Sequence, residues 1–447
     1  MRCLSSCSDD VGANLGKWWR RSASPSISGR LTGVLGSSWR ATVTPWGDLV
    51  GDDAASTVRW FVAADDRWYR PASEVALRQR LIEGAPVFET RVRVPGGDVV
   101  QRIWSVSGER GRDYTMFEFE NDSPMPIVVA LSNPNLVSAR SLVAQPVRGL
   151  DEDAPVVVPI GHRTSVRLAL PHVGDGDSSW PDDVADWPAV ARGWVSTAER
   201  VSRLSLPDQA GGVLLTDAVV AARTQAMLVD ESALDAATWL LVMRERVGTN
   251  VVSEVDDIAV VERAELVIAD FRRGRGDASA NRLALVAAAR LLVNDERASR
   301  DLVAAAARAR RVPASTLPEV FGAVEPTALP DWASLALPAF VDDRLARWTG
   351  GDEITLLPDG LPESWLGSAC EAHGVLATDR HRVSWAIRWH GERPAVLWEV
   401  DGPAGLRLRS GVDGAWSTTA SQGEALWSAP RRRPTSLPLG TDSSTVT

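Results

Sequence analysis

The chain has 447 residues, of which 45% are hydrophobic and 24% charged, and its formal net charge is -10. This length and composition are typical of a globular protein with two or three cores. The acidic balance argues against nonspecific binding to nucleic acid or to an anionic membrane surface, because both require a basic patch. Lys17 is the single lysine, and its polar N-terminal surroundings argue against Schiff-base chemistry or a P-loop.

Cysteine content and hydropathy predict the compartment. Cys3, Cys7 and Cys370 are too few for a disulfide framework. The first residues lack the apolar segment of a signal peptide, and no apolar run approaches the ~20 residues that span a bilayer. We therefore expect a cytoplasmic protein with neither a nucleic-acid nor a membrane partner, and the sequence leaves a protein partner open.

The N-terminal third of the chain is predicted to be rich in strands. Residues 1–29 are rich in serine and lack periodicity, which predicts a disordered leader. Alternating runs then predict an antiparallel β-sandwich over residues 30–175. VFETRVRV and VVQRIWSV flank a Pro-Gly-Gly-Asp turn and predict a hairpin. YTMFEFE and MPIVVALS, joined by NDSP, predict a second hairpin of the same kind.

Residues 176–312 are predicted to form an acidic connector followed by a helical bundle. Pro181 and Pro188 favour a loop rather than a helix through the tryptophans of the connector. Further along, Val260, Ala264 and Val267 recur at helical spacing and predict one buried helix face.

The C-terminal part is predicted in three segments. Five prolines mark an irregular connector over 313–350, a small β domain follows over 351–428, and residues 429–447 form a disordered tail. The predicted fold class is therefore α+β, with an N-terminal antiparallel β-sandwich, a central α-helical bundle and a small C-terminal β domain.

Nineteen tryptophans are a marked excess, and three of them occur in one predicted hairpin. In VSWAIRWHGERPAVLWEV, Trp385 and Trp389 alternate with polar residues, and Trp398 lies in the second alternating run. Alternate residues of a strand share a face, so the three indoles are predicted to cluster on one side. Two interpretations remain open: the indoles belong to the core, or they form a surface on which a ligand stacks.

The second interpretation has polar residues to support it. Sugars bind by stacking on indole rings beside hydrogen-bonding groups, and such groups occur next to these tryptophans. The candidate ligand-binding residues are Trp385, Trp389, Trp398, Arg388, His390 and His373.

Metal and cofactor motifs are not found in the sequence. His373, His381 and His390 are separated by seven and eight residues, which matches no familiar zinc pattern. The sequence also contains no Walker A loop, no GxGxxG after a strand, no GxSxG and no HExxH. We therefore predict no metal and no cofactor.

Catalytic residues are not identified by any motif. Glycoside hydrolysis requires two carboxylates about 5–10 Å apart, and adjacent acidic residues on a strand point to opposite faces. Glu363 and Glu371, on either side of Trp365, are the carboxylates to test first.

A resemblance to known families rests on three stretches of the chain: FEFENDSPMPIVVALS, LPDGLPESWLGSACEAHG and VSWAIRWHGERPAVLWE. The chain resembles a family of uncharacterised actinobacterial proteins, and more distantly the bacterial glycosidases that join an N-terminal β-sandwich to an (α/α)₆ helical domain. Twelve such helices would need well over ~200 residues, about twice the predicted helical region. The resemblance therefore implies a reduced or non-hydrolytic form, and no catalytic residue is transferred from it.

Three functions follow from these observations. The first is a protein that binds a carbohydrate ligand through exposed tryptophans. The second is an active glycoside hydrolase with an unidentified carboxylate pair. The third is a structural or regulatory interaction protein whose tryptophans all lie in the core.

Overall fold

The computed structural model describes residues 29–140, 142–144, 149–150, 153–172, 180–207, 215–309 and 331–430. The fold is mixed α+β and contains several antiparallel sheets. The predicted leader and tail lie outside the described residues, apart from residue 29 and residues 429–430. No helix of the described segments is long and apolar enough to cross a bilayer.

Within the described residues, thirteen strands precede the first α-helix. They are β1 (Arg30–Gly33), β2 (Arg40–Val43), β3 (Leu49–Val50), β4 (Trp60–Ala64), β5 (Arg67–Tyr69), β6 (Leu77–Leu81), β7 (Phe88–Val94), β8 (Gly97–Ser107), β9 (Asp113–Asn121), β10 (Ile127–Leu131), β11 (Val143–Ala144), β12 (Val156–Ile160) and β13 (Ser165–Pro171). They form a three-stranded sheet β1-β2-β3 and two five-stranded sheets, β11-β12-β10-β4-β5 and β13-β9-β8-β7-β6. Trp60 and Val129 of one five-stranded sheet share a core with Ile103 and Phe117 of the other.

The hairpin predicted around the Pro-Gly-Gly-Asp turn is confirmed, since β7 pairs antiparallel with β8. The hairpin predicted around NDSP is wrong. Strand β9 pairs with β8 and β13, whereas β10 pairs with β4 and β12 in the other sheet. The buried side chain of Asn121 donates to the carbonyls of Met125 and Gly161 at 2.8 and 3.1 Å. These bonds stabilise a loop that takes the chain from one sheet to the other.

Seven α-helices and one strand follow within the described residues. They are α1 (Trp187–Ala198), β14 (Arg203–Ser205), α2 (Leu215–Leu228), α3 (Ala236–Gly248), α4 (Asp257–Arg272), α5 (Ala278–Leu291), α6 (Glu296–Ala309) and α7 (Asp331–Leu345). The loop predicted through the connector tryptophans is wrong for Trp187 and Trp194, which both lie in α1. Pro188 occupies the first turn of α1, where no backbone N–H is needed. The predicted buried face of α4 is confirmed, because Val260, Ala264 and Val267 are buried.

The last eight strands of the described chain follow α7. They are β15 (Ala346–Gly350), β16 (Glu353–Leu356), β17 (Cys370–Leu376), β18 (Arg382–His390), β19 (Arg393–Asp401), β20 (Arg407–Ser410), β21 (Ser417–Thr418) and β22 (Gln422–Leu426). They form a four-stranded sheet β15-β16-β20-β21 and, with β14, a five-stranded sheet β14-β17-β18-β19-β22. We call the five-stranded sheet the C-terminal sheet.

The segment predicted as an irregular connector, 313–350, contains regular structure in its described part. Helix α7 and strand β15 occupy residues 331–350, and the rest of the segment lies outside the described residues. Pro338 lies inside α7, where its ring removes one backbone hydrogen bond. Asp342 and Asp343 on the next turn are buried and paired with arginines. We attribute the persistence of the helix to these tertiary contacts.

One core joins the helices to the C-terminal sheet. Leu240 of α3, Ala288 of α5, Trp385 of β18 and Leu408 of β20 belong to the same cluster of buried side chains. Strand β14, between two helices in sequence, also pairs with β17. The helices therefore cover one face of the C-terminal sheet.

Candidate functional site

The three tryptophans of the β18–β19 hairpin face this core. Trp385 and Trp398 lie directly opposite each other in the hairpin and are 2% and 8% exposed. Trp389 is half-buried, and its Nε1 donates to the Ser368 carbonyl at 2.7 Å. The predicted clustering on one face is confirmed. Of the two interpretations that the sequence left open, burial supports the core, because Trp385 and Trp398 present no ring face to solvent.

Three of the candidate polar residues meet on the outward face of the C-terminal sheet. Arg388 donates to one carboxylate oxygen of Glu371, and the Nε2 of His373 lies 2.9 Å from the other. The hydrogen bond from Arg388, followed by that from His373, lowers the pKa of Glu371 to about 2. Glu371 is therefore ionised at neutral pH and unsuited to act as the general acid of a glycosidase, which needs a raised pKa.

The remaining candidates do not join this cluster. Glu363 is exposed at the start of the short 3₁₀ helix Glu363–Trp365, and it forms no ion pair within the described part of the chain. His390 is exposed at the end of β18. His381 is buried, with Nδ1 2.8 Å from Thr378 Oγ1 and Nε2 2.9 Å from the Pro403 carbonyl oxygen. The three histidines thus have three different environments.

Cys370 lies on the buried face of β17. Burial raises the pKa of its thiol to about 12, so the thiol is protonated at neutral pH and is a poor nucleophile or metal ligand. Across the described residues, no group of three or more His, Cys, Asp or Glu side chains is arranged to hold a metal ion.

A second dense group of carboxylates crosses the β13-β9-β8-β7-β6 sheet and is saturated by arginines. Arg80, Glu89, Arg102, Glu118 and Arg167 are direct neighbours on five successive strands. The guanidinium of Arg102 donates to both glutamates, at 3.0 and 2.9 Å. The pKa of Glu89 is lowered, since hydrogen bonds and charges from arginines outweigh the opposing effect of burial. Glu89 is therefore also unsuited to act as a general acid.

The outward face of the C-terminal sheet carries an apolar patch that the sequence analysis missed. Leu397 of β19 and Leu426 of β22 are 45% and 46% exposed, and Glu424 lies directly opposite Leu397. The signal was present in the sequence: if Val396 and Trp398 point inward, Leu397 between them must point outward. We call Leu397, Leu426, Glu399 and Glu424 the docking patch.

In the described part of the chain, strand β22 lies at the edge of the C-terminal sheet. Val400 donates to the Ser421 carbonyl and Trp427 to the Pro394 carbonyl, at 2.6 and 2.9 Å. Because antiparallel ladders alternate, Gln422 and Glu424 between them direct their N–H and C=O groups away from β19. Within the described residues no strand pairs with that side. An exposed edge of this kind is a template for another strand.

The charges of the docking patch are acidic. Glu399 and Glu424 are exposed, and neither forms an ion pair with another described residue. Arg393, the neighbouring cation, donates instead to the carbonyls of Trp427 and Leu426 at 3.0 and 2.9 Å. The patch therefore combines exposed leucines, uncompensated carboxylates and an open strand edge.

Comparisons of the chain with protein families, curated proteins and solved structures find no match. The resemblance to actinobacterial proteins and to bacterial glycosidases stays a prediction.

Proposed function

We propose that this chain is an interaction protein that docks an extended, basic segment of another protein on the edge of β22. The observation that carries the proposal is the open edge of β22 beside exposed Leu397 and Leu426. In this proposal the N-terminal sandwich and the helical bundle are the scaffold, and the C-terminal β domain is the binding element.

The open backbone groups determine the conformation of the occupant. The outward N–H and C=O groups of Gln422 and Glu424 are complemented by the backbone of an extended strand, as in β-strand addition. Main-chain hydrogen bonds supply affinity in this binding mode, and side chains at alternate positions supply specificity. A folded surface or a helix would leave these backbone groups unpaired.

The side chains of the docking patch determine the chemistry of the occupant. Leu397 and Leu426 favour aliphatic side chains, because burying them removes apolar area from water at about 25 cal/mol per Å². Glu399 and Glu424 favour lysine or arginine in the partner, since complementary charge increases the association rate and discriminates against acidic segments. The partner segment is therefore basic and aliphatic in alternation.

Burial of the indoles supports this function over glycan binding. Among the described side chains every tryptophan is buried or half-buried, and stacking on a sugar requires an accessible ring face. The ionised Glu371, fully engaged by Arg388 and His373, gives equally little support to glycoside hydrolysis.

The test selects displayed random decapeptides against the full-length protein and measures the affinity of the selected peptides by isothermal titration calorimetry. We expect enrichment of peptides that alternate basic and aliphatic residues. Leu426→Asp places a charge in the apolar patch, and Glu424→Pro removes one outward N–H without a loss from the β19 ladder. Both variants should weaken binding at least tenfold.

Met125→Asp is the matched control, because Met125 is 62% exposed and lies in the loop between β9 and β10, outside the C-terminal sheet. It should bind the selected peptides like the unmodified protein. Selected peptides without basic residues, or equal binding by Leu426→Asp, Glu424→Pro and Met125→Asp, would overturn the proposal. Saturable binding of glucans or maltooligosaccharides that Arg388→Ala abolishes would replace it with a carbohydrate-binding function.

A further inference from the structure

Helix α4 carries large apolar side chains on the side that faces away from the core as well as on its buried side. Val260, Ala264 and Val267 are buried against the other helices. On the outer side, Ile258 and Leu266 are 68% and 52% exposed. Exposed apolar side chains on one face of a helix are typical of an interaction site.

The outer side of α4 has a regular composition. Residues that recur every three or four positions lie on one side of a helix. Five residues follow this spacing along the outer side, and we call them the α4 stripe: Ile258, Glu262, Leu266, Ala269 and Arg273. Ala269 is half-buried and the other four are exposed. The α4 stripe therefore combines apolar side chains with one acidic and one basic residue.

The two charges of the α4 stripe are unpaired in the described chain. Glu262 and Arg273 are exposed, and neither forms an ion pair with another described residue. They lie about 16 Å apart along the helix, at 1.5 Å per residue, so they do not reach each other within one molecule. A partner that pairs with both must present a basic and an acidic group at the same separation in the opposite order. A second, antiparallel copy of α4 presents this arrangement.

We propose that two copies of this chain associate through their α4 stripes, with the two helices antiparallel about a two-fold axis. An axis that passes between residues 267 and 268 places Glu262 opposite Arg273 of the second copy. The same axis places Leu266 opposite Ala269 of the second copy, so that a large side chain meets a small one, as packing of ridges into grooves requires. Each contact occurs twice, because a two-fold interface uses the same surface of both copies.

The dimer is expected to be weak and reversible. Contact between two single helices buries less than the ~1,200 Å² at the lower end of stable interfaces. We therefore expect a dissociation constant between about 10 µM and 1 mM. The α4 stripe and the docking patch lie on different elements, so association through α4 does not depend on strand addition at β22.

The experiment measures the association of the full-length protein by sedimentation velocity at concentrations from about 5 µM to 1 mM. The unmodified protein should change from monomer towards dimer over this range. Leu266→Asp places a charge at the centre of the interface, and this variant should stay monomeric. Val75→Asp is the matched control, because Val75 is 101% exposed and lies outside α4. It should associate like the unmodified protein.

Reversal of the two charges tests the register. Glu262→Arg and Arg273→Glu each place like charges opposite each other twice in the dimer, so each should weaken association at least about fivefold. The double variant exchanges the two charges without altering the net charge, and it should associate within about threefold of the unmodified protein. Glu392→Arg, in the exposed β18–β19 turn, changes the net charge as Glu262→Arg does and should leave association unaltered.

An unmodified protein that is still monomeric at about 1 mM would overturn the proposal. A double variant that associates no more tightly than either single variant would contradict the antiparallel register. A dimer that Leu426→Asp abolishes and Leu266→Asp preserves would instead form at β22. The substituted residues are exposed, so the variants should fold, and circular dichroism verifies this before each measurement.

Discussion

Gly423 lies directly opposite Trp398 in the pairing of β22 with β19, and a Cβ atom at residue 423 would come within 2.5 Å of the Trp398 indole. The indole fills the space that a side chain at residue 423 would occupy. Its Nε1 donates to the Ala420 carbonyl at 3.1 Å, and its ring packs edge-on against Trp416. This contact fixes the edge strand β22 against the core.

Gly423→Ala should therefore destabilise the protein by about 1–3 kcal/mol, the usual cost of overpacking a well-packed site. Gly414→Ala is the control, because an added Cβ there meets no atom within 4 Å, and it should have little effect. Denaturant unfolding of the two variants measures the difference. Equal stability of both would show that the Trp398 indole is not confined by β22.

Trp385→Ala should destabilise the protein by about 3–5 kcal/mol, since it removes a large buried side chain from the core between the helices and the C-terminal sheet. His390→Ala, an exposed change on the same strand, should alter the free energy of unfolding by less than about 0.5 kcal/mol. Urea unfolding followed by circular dichroism gives both values. A Trp385→Ala protein as stable as His390→Ala would contradict the assignment of this indole to the core.

The pKa of Glu371 should rise when its partners are removed. Arg388→Met should move the pKa from about 2 towards the ordinary value of 4.5, and His373→Leu should move it less, because Arg388 provides the larger effect. Titration of the Glu371 carboxyl carbon, followed by NMR, measures the pKa in both variants. The folded-state pKa is depressed, so any contribution to stability is present above about pH 4.5 and lost as the pH falls towards 2. A larger shift in His373→Leu would reverse the order of the two contributions.

His172 should make stability depend on pH in the acid range. Its ring stacks on Trp39 with centroids 3.5 Å apart, and burial, the largest cause, lowers its pKa from 6.5 to about 3. Because the depressed pKa belongs to the folded state, this stability is present above about pH 6.5 and is lost as the pH falls towards 3.

The binding of this one proton changes the free energy of unfolding by at most about 1.4 kcal/mol per pH unit. His172→Gln should flatten the dependence of unfolding free energy on pH between 6.5 and 3, and His162→Gln, an exposed change, should leave it unaltered. Denaturant unfolding at several pH values compares the three proteins. Identical profiles would contradict a half-buried imidazole that stays neutral at residue 172.

Local patterns predicted the elements well where the pattern was strong. Alternation over residues 383–400 predicted the β18–β19 hairpin and the shared face of its indoles, and helical spacing predicted the buried face of α4. The prediction of the second hairpin was wrong because an alternating run indicates a strand but not the strand with which it pairs. Strands β9 and β10 are adjacent in sequence but lie in different sheets. The loop predicted from Pro188 was wrong because a proline in the first turn is compatible with a helix.

The environment of each candidate residue depended on contacts distant in sequence. Whether Trp385 is buried depends on helices more than a hundred residues earlier, such as α3. The pairing of Arg244 with Asp342 joins residues 98 apart, which no local pattern indicates. The alternation around Leu397 could have predicted the apolar part of the docking patch. Its strand edge could not be predicted, because it depends on β22 being the outermost described strand of the C-terminal sheet.

Amide hydrogen exchange on β22, followed by NMR with and without a peptide from the decapeptide selection, tests the docking proposal most directly. In the free protein the amides of Gln422 and Glu424 should exchange fast and those of Gly423 and Ala425 slowly, because only the latter face β19. In the complex the amides of Gln422 and Glu424 should become protected. Protection that develops elsewhere while these two amides still exchange fast would contradict strand addition at β22.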